Sequence, residues 1–412
     1  MGIVRRRIGL SLGADICWPA AFEALIGQMG PIRIGNDEVH LECERTTVRP
    51  FSLRETPAYD LVVDRLTHWF HTQREWVKQL ALQGVYVLNN PWAVQSMEKH
   101  TSYVAMMQLG FPIPETIMVP PKEYATDGDW TVTVRKYNRL FDLGAVGRSV
   151  GYPAFFKPYD GGGWVGVRRV TDDATLGEAY DASGLRVHHL QAAVQGWDRF
   201  VRVVGIGPQV RLVDDDPDAS LHNRYRTTPP ALTDDQTKLA SAMCRTINAF
   251  FGWDFNSCEV LRANGVLHPI DFANACPDSQ VTSLHVHFPW LVTSLLKWSV
   301  FAAVTQRKKN LGFAWDRFFA ARDTELSLDE QIARYDAIAS ELLDAERFAE
   351  FEATHFADLD ERARAYFATD EFRRVVREKV TALYPHHEIE DFTELFFERV
   401  QQWRPDGATT PA

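Results

Sequence analysis

The sequence predicts a mixed fold, α+β and α/β, with an N-terminal α/β domain and a helical C-terminal extension. Three observations lead there. Strand-like and helix-like runs alternate up to about residue 90, short β-rich runs with turn signals fill the middle, and Ala, Leu, Phe, Glu and Arg recur at helical spacing from about residue 290. At roughly 100–200 residues per domain, 412 residues suffice for two to four domains. The composition, 45% hydrophobic and 24% charged, is that of a chain with a sizeable core and excludes disorder as its main state.

In order along the chain, IGLSL (8–12) reads as a strand and 18–28 as a helix. YDLVVDR (59–65) is a second strand, 72–82 a helix and VYVLNN (85–90) a third strand, an order that implies parallel pairing. Pro91 breaks the chain, and a helix is expected from about 93 to 109, stopped by Gly110 and Pro112. Strands are then expected at 153–158, 164–170, 187–194, 199–206, 209–213, 255–262 and 266–272. Helices near 172–183 and 233–251 have caps in Thr171–Asp172 and Thr233–Asp234. The rest is expected to be helical, with a disordered tip at 406–412.

Charge narrows the partners. Formal net charge is −11; from residue 321 onward 11 Lys and Arg face 22 Asp and Glu, whereas residues 1–320 balance at 33 against 33. With no basic excess in either part, nucleic acid is not an expected partner. No run of about 18 apolar residues occurs, so no membrane span is expected. Arg5–Arg7 and the early Asp15 make the start a strand with basic flanks, not a secretory signal, and Gly2–Arg6 lacks the Ser or Thr of a myristoylation signal. Cys17, Cys43, Cys244, Cys258 and Cys276 are odd in number, with no CxxC, and read as reduced thiols of a cytoplasmic protein.

Two segments carry chemistry. In YPAFFKPYDGGGWVGVRRV (152–170), Gly161, Gly163 and Gly166 fit GxGxxG, but the pattern needs a following helix and Val165–Val170 reads as a strand. A strand–glycine loop–strand is instead a hairpin whose backbone N–H groups reach phosphate oxygens without Cβ obstruction. Lys157 precedes the loop, unlike a protein kinase's lysine; there is no HRD or DFG, and no GxxxxGK[ST]. A plain glycine-rich turn with a surface lysine is the alternative.

The second is CEVLRANGVLHPIDFANACPDSQVTSLHVHFPW (258–290), where Asn264–Gly265 is a hairpin signal. Glu259 on the first strand and Asp271 near the end of the second bring two carboxylates together, and Asn274 adds an amide oxygen, a hard-oxygen set suited to Mg²⁺ on phosphates. A single ion-paired acid and a turn asparagine is the alternative. His285 and His287 would share one face of a strand; without further ligands they suit substrate-side or structural roles better than zinc. His188–His189 would point to opposite faces of a strand and receives no role.

In this order the segments resemble the ATP-grasp superfamily, in its D-alanine–D-alanine ligase-like, carboxylate–amine ligase branch. NNPWAVQSMEKHTSYVAMMQLGFPIPET (89–116) places Lys99 as the first phosphate-binding lysine, and AFFKPYDGGGWVGV (154–167) places Lys157 as the second, before the lid of Gly161, Gly162 and Gly163. LQAAVQGWDRFVRVVGIGPQVRLV (190–213) resembles the hinge and the strands after it, and IDFANACPDSQVTSLHVHFP (270–289) the metal strand and substrate loop. The match covers about 85–290 and implies an N-terminal domain at 1–92, ATP-grasp lobes at 93–300 (lid about 112–195, metal and substrate lobe about 196–300) and a helical region at 301–405 without a family counterpart.

The sequence departs from the family pattern in three places. Asp271-Phe-Ala-Asn274 stands where the family has Glu-x-Asn, a difference that a bulge would offset. The hinge acid is replaced, Gln191 being followed by Ala192, with Asp198 the candidate for the ribose. Asp278 stands where the ligases have glycine, which suits a cationic acceptor or merely caps the next turn.

The resemblance implies ATP and Mg²⁺, with Mn²⁺ an alternative. Lys99, Lys157 and the lid glycines would hold the phosphates, Glu259, Asp271 and Asn274 the metal, and Arg226 or Arg224 the developing phosphate charge, with Arg202 a further candidate. A small-molecule carboxylate would become an acyl phosphate and an amine would displace phosphate. The rival expectations are a small-molecule kinase on the same fold and a nucleotide-binding regulatory protein. A homodimer, or a protein partner at the acidic helical region, is the expected association.

Overall fold

The computed structural model describes residues 2–47, 49–67, 70–93, 98–125, 128–308 and 311–405. The tip expected to be disordered at 406–412 lies outside them, as does the 94–97 part of the helix expected from 93. The elements are β1 (Gly2–Ser11), α1 (Cys17–Gln28), β2 (Ile32–Ile34), β3 (Asp37–Arg45), β4 (Leu61–Asp64), α2 (His71–Leu82) and β5 (Tyr86–Leu88). There follow α3 (Lys99–Gln108), β6 (Thr116–Val119), α4 (Gly128–Tyr137), α5 (Leu143–Val150), β7 (Ala154–Pro158), β8 (Arg168–Val170), α6 (Asp173–Asp181) and β9 (His188–Ala192). Next are β10 (Trp197–Ile206), β11 (Gln209–Asp214), α7 (Asp234–Phe251), β12 (Phe255–Ala263) and β13 (Val266–Asp271). The rest is helical: α8 (Val281–Leu284), α9 (Phe288–Val304), α10 (Trp315–Ala320), α11 (Leu328–Leu342), α12 (Ala345–His355), α13 (Leu359–Phe367), α14 (Asp370–Thr381) and α15 (Ile389–Gln401).

These elements cluster into two units, one of Met1–Gln95, Phe200–Ser257 and Ala275–Ala412, the other of Ser96–Arg199 and Cys258–Asn274. The first unit holds a five-stranded sheet in the order β2-β3-β1-β4-β5. β1 pairs parallel with β3 and β4, and β4 with β5, as the strand–helix–strand order predicts. Leu61, Val62 and Val63 of β4 are all buried, the continuous apolar run of a strand covered on both faces. Trp18, Phe22 and Leu25 of α1 join one core with Phe288, Leu295, Trp298 and Phe301 of α9 and with Phe372, Phe396 and Trp403. Every residue of α9 except Lys297 is buried. A helix apolar all round can only be a core helix, so the helical extension shares its core with the N-terminal sheet.

The second unit holds the antiparallel sheet β6-β9-β7-β8, packed through Phe156, Leu176, Val170 and Leu190. Asp172 and Thr233 start α6 and α7 as predicted, each within a reciprocal capping box. A third sheet has the order β11-β10-β12-β13. The β12–β13 hairpin turns at Asn264 (φ 51°) and Gly265 (φ 82°), both left-handed as a two-residue turn requires.

The structure corrects several expectations. The strand expected from 164 starts only at Arg168, because Trp164 and Gly166 are left-handed and break the extended run. His285–His287 is a 3₁₀ turn, not a strand: the run from Val281 is buried on every side and leads into α9, whose first turn accommodates Pro289. The helix expected from 93 is described only from Lys99. Sequence reading also missed β2 and β3, whose hairpin Gly35 (φ 58°) turns, together with β6, α4 and α5.

Candidate functional site

The second unit gathers most of the predicted nucleotide and metal residues. Lys99 opens α3, its N–H bonded to Tyr159 O at 2.7 Å, and its ammonium donates to Asp271 Oδ2 (2.8 Å), Asp271 Oδ1 (3.1 Å) and Gly161 O (3.1 Å). One cation thus meets the metal strand and the glycine loop. Asp271 and Glu259 are directly paired across the β12–β13 hairpin, and the register shifts beside them: Glu259 faces Asp271 while Val260 faces Pro269. Ile270 is therefore the extra residue of a bulge that lies before Asp271. Pro269 is tolerated because β13 is an edge strand.

That bulge leaves the Ile270 carbonyl to other donors. Tyr103, one turn along α3 from Lys99, donates its hydroxyl to Ile270 O at 2.8 Å, and Lys157 Nζ reaches the same oxygen at 3.3 Å. Lys157 also donates to Tyr103 Oη and Gln191 Oε1, both at 2.7 Å, and Gln191 Nε2 is oriented by Thr116 Oγ1 at 2.8 Å. Burial pulls the Lys157 ammonium down to about 8, against the carboxylates of Asp271 and Glu259 that favour its charge. Burial likewise pushes the Tyr103 phenol well above its ordinary value, with Asp271 and Glu259 adding to the shift.

His189 faces Lys157 across β9 and β7, stacked on His100 with ring centres 5.5 Å apart and Nε2 3.3 Å from His100 Nδ1. Burial, helped by His100 and both lysines, lowers it to about 3, so the ring is neutral beside two ammonium groups. Sequence reading gave no role to Tyr103 or His189. For Tyr103 the signal was its place four residues after Lys99.

The glycine loop has Gly161 (φ 85°), Gly163 (φ 66°), Trp164 (φ 63°) and Gly166 (φ 77°) left-handed. Backbone N–H groups in such an alternation form concavities that suit anions. A Cβ at Gly163 would meet nothing within 4 Å and one at Gly161 only Arg186 Nη2 at 3.9 Å, so conformation rather than space requires glycine at 161 and 163. Asp198 is exposed and forms a two-point ion pair with Arg262, at 2.9 and 2.6 Å. Asn274 is half-buried just past β13.

The remaining candidates lie in the first unit. The buried carboxylate of Asp215 is flanked by Arg202 (3.8 Å) and Arg224 (3.6 Å), and Arg202 also donates to Ser257 Oγ at 3.2 Å and lies over the Tyr225 ring. Arg226 is ion-paired with Asp216, and its carbonyl accepts from His287 Nε2 at 2.8 Å. Arg399 of α15 holds the same loop through Asn223 Oδ1 at 2.7 Å. His285 accepts from Val286 N–H at Nδ1, 2.8 Å, and burial with Arg399 nearby lowers it to about 3.

Asp278 accepts from Gln280 N–H at 2.9 Å and from the Ser283 hydroxyl, so both its oxygens serve the turn into α8. Beside it Arg65, at the end of β4, donates to Pro277 O and Ser279 Oγ, both at 2.8 Å, and to Asp15 Oδ2 at 3.3 Å. Burial raises the Asp15 carboxyl, but Arg65 and Ser279 outweigh it and hold the group below its ordinary value. Arg65 and Asp15 anchor the loop and were not legible as a pair.

Two carboxylates with an amide oxygen fit a hard divalent cation bridging phosphates. Among the described residues no group of three or more His, Cys, Asp or Glu is placed to hold a metal ion. Among the described residues, too, no helix is long and apolar enough to cross a membrane.

No protein-family description and no curated protein matches the chain. Among solved structures the chain is similar to the RimK-domain ATP-grasp protein from Sphaerobacter thermophilus DSM 20745, at 14% identity, covering 71% of this chain and 99% of that one, with a TM-score of 0.49. It is similar to the D-alanine–D-alanine ligase from Bacillus anthracis complexed with ATP, at 12% identity over 75% and 100% of the two chains, TM-score 0.47. The macrocyclase MdnC from Microcystis aeruginosa MRC, bound with precursor peptide MdnA, matches at 11% identity over 73% and 99%, TM-score 0.47.

Proposed function

We propose that the chain is an ATP-dependent carboxylate–amine ligase of the ATP-grasp type, acting on small amino-acid-like or peptide substrates. The observation that carries this reading is the meeting, in one unit, of Lys99, Lys157, the left-handed glycine loop and the cross-strand pair Glu259–Asp271. Two ammonium groups, a cradle of N–H donors and two carboxylates are the parts that phosphoryl transfer needs.

Lys99 and Lys157 would bind the phosphate oxygens, with Gln191 and Tyr103 holding the Lys157 ammonium in place. Glu259, Asp271 and Asn274 would hold Mg²⁺, which when bound would neutralise phosphate charge. Arg226 or Arg224 is the proposed group for charge on the transferred phosphate. A substrate carboxylate oxygen attacks the γ-phosphorus and ADP leaves; an amine nitrogen then attacks the acyl carbon, and phosphate leaves with formation of an amide bond. Positioning and charge stabilisation supply the catalysis, without a protein nucleophile.

ATP with Mg²⁺ should raise the melting temperature by mass action, and Lys157→Ala should remove most of the shift. An unchanged melting curve at millimolar ATP overturns the reading. Phosphate release with pooled amino acids and small peptides then tests the chemistry. Free phosphate formed only when an amine is present separates a ligase from a kinase on the same fold, which phosphorylates a hydroxyl and stops.

A further inference from the structure

We infer that the first unit holds a binding site for a small α-amino acid, in a cavity between α2 and the chain that leads from β3 to β4. The cavity encloses about 70 Å³. At roughly 10–15 Å³ per water-sized group, that is room for about five to seven non-hydrogen atoms, the size of glycine or alanine. The described residues that line it all belong to the first unit, and none is among the nucleotide or metal residues proposed above.

Two buried amides meet this space without partners. Gln73, Trp76, Gln79 and Leu80 lie on the side of α2 that lines the cavity. Gln79 Nε2 donates to Ser52 O and, just past the helix, Gln83 Nε2 to Glu55 O, both at 2.9 Å, which ties the loop to α2. The Ser52 carbonyl can accept only from the amide nitrogen, so the Gln79 orientation is fixed and its Oε1 is left buried with no partner. Gln73 is 3% exposed, and its amide has no hydrogen-bond partner among the described residues. A buried side-chain amide has lost its water and is rarely left unpaired. The two residues together offer two acceptor oxygens and one donor nitrogen to whatever fills the cavity.

Charge and ring chemistry choose the occupant. Arg49 and Glu55 form an ion pair and also line the cavity, with side chains 54% and 36% exposed, so a cation and an anion stand where it meets solvent. A zwitterion answers both. Its carboxylate suits the Arg49 guanidinium and Gln73 Nε2, and its ammonium suits Glu55 and the two glutamine oxygens. Tyr59 and Trp76 form a wall, their rings edge-to-face at 6.3 Å, and aromatic faces suit both an ammonium and a short aliphatic group. The Tyr59 hydroxyl is already committed to Glu44 Oε1 at 2.8 Å. A neutral amide would satisfy the glutamines but leave the ion pair unused, and an ion of one sign would be opposed by one member of that pair.

The test is a thermal melt of the full chain without nucleotide, in glycine or L-alanine at about 10 mM, against acetamide, acetate and methylammonium at the same concentration. The amino acids should raise the melting temperature and the three fragments should not. Arg49→Gln, at an exposed side chain, should weaken the amino acid about ten-fold or more and leave the response to ATP with Mg²⁺ unchanged. Gln73→Leu should do the same, with an unliganded melting temperature unchanged or raised, because carbon of similar size replaces an unpaired buried amide. No shift in the parent, the result of a cavity that holds only water, overturns the inference. So does a shift that survives in either variant, which puts the amino acid elsewhere, or an equal shift with acetamide. Each of these outcomes leaves the ligase reading standing, and a parent that does not respond to ATP removes that reading without touching this one.

Discussion

Lys99 Nζ lies 2.8 Å from Asp271 Oδ2, an ion pair between the first turn of α3 and the last residue of β13. The lysine side chain is 6% exposed and the carboxylate 28%, so removal of the acid leaves a buried ammonium without its counter-charge. The same carboxylate faces Glu259 across the hairpin, so one residue serves both the proposed metal set and the placement of a proposed phosphate-binding lysine.

Asp271→Asn should therefore abolish ATP-dependent phosphate release and also lower stability, by roughly 1–3 kcal/mol, since a charged hydrogen bond is lost from a partly buried pair. Its effect on turnover should exceed that of any His285 substitution. Phosphate release and a urea midpoint measured on one preparation check both parts. Near-parental release would remove Asp271 from the site.

Lys157 gives nucleotide binding a pH dependence. Its ammonium titrates near 8 in the folded chain against an ordinary 10.5, because burial disfavours the charge. Phosphate binding needs the charged form, so the ATP-induced rise in melting temperature should shrink as pH goes from 7 to 9, and Lys157→Ala should show a small, flat response. In the nucleotide-free protein the sign reverses. Between about pH 8 and 10.5 the folded chain sheds this proton before the unfolded one, so the Lys157 contribution to stability rises across that window. A parental ATP response that is constant from pH 7 to 9 would disprove the link.

What the sequence made legible was residue type in order: Lys99, Lys157, the glycines, and Glu259 and Asp271 either side of an Asn-Gly turn. The capping boxes of Asp172 and Thr233 were equally plain, because a cap is a local signal. Tyr103 was not, since its role depends on the Ile270 carbonyl, which a one-residue register shift exposes and composition does not encode. Arg65 and Asp15 meet the Pro277–Gln280 loop only through the tertiary fold. The β2–β3 hairpin did carry an alternating pattern about Gly35, whereas α4 buries no side chain and so offers no apolar period to read.

His285 shapes the acid limb of stability. The folded ring titrates at about 3 against an ordinary 6.5, chiefly because it is buried, with Arg399 and His287 adding repulsion. Between these values the unfolded chain takes up the proton first, so stability falls as pH drops from 6.5 toward 3; His189 and His287, lowered to about 3 and about 4, act in the same direction. His285→Asn keeps an acceptor for the Val286 N–H and suits the positive φ of 33°. It should flatten the limb by up to about 1.4 kcal/mol per pH unit. Denaturation midpoints at pH 4, 5, 6 and 7 measure the slope, and an unchanged slope would place the titration elsewhere.

Asp278 separates a substrate contact from a turn cap. Both carboxylate oxygens are engaged within the chain, one by the Gln280 N–H at 2.9 Å and the other by the Ser283 hydroxyl, at the entry to α8. Arg65 bonds Pro277 O and Ser279 Oγ on either side, so the carboxylate also stands in a positive field. A carboxylate so engaged works as a cap, and its loss to glycine should cost about 1–2 kcal/mol of stability. The turn would loosen for any acceptor, so Asp278→Gly should weaken use of a cationic amine and of an uncharged analogue by the same factor, with ATP affinity nearly unchanged. Asp278→Asn, which keeps an acceptor for the Gln280 N–H, should recover most of the stability. A loss of about ten-fold or more in KM confined to the cationic acceptor would instead assign Asp278 to substrate recognition, because a charged hydrogen bond is worth roughly 1.5–3 kcal/mol.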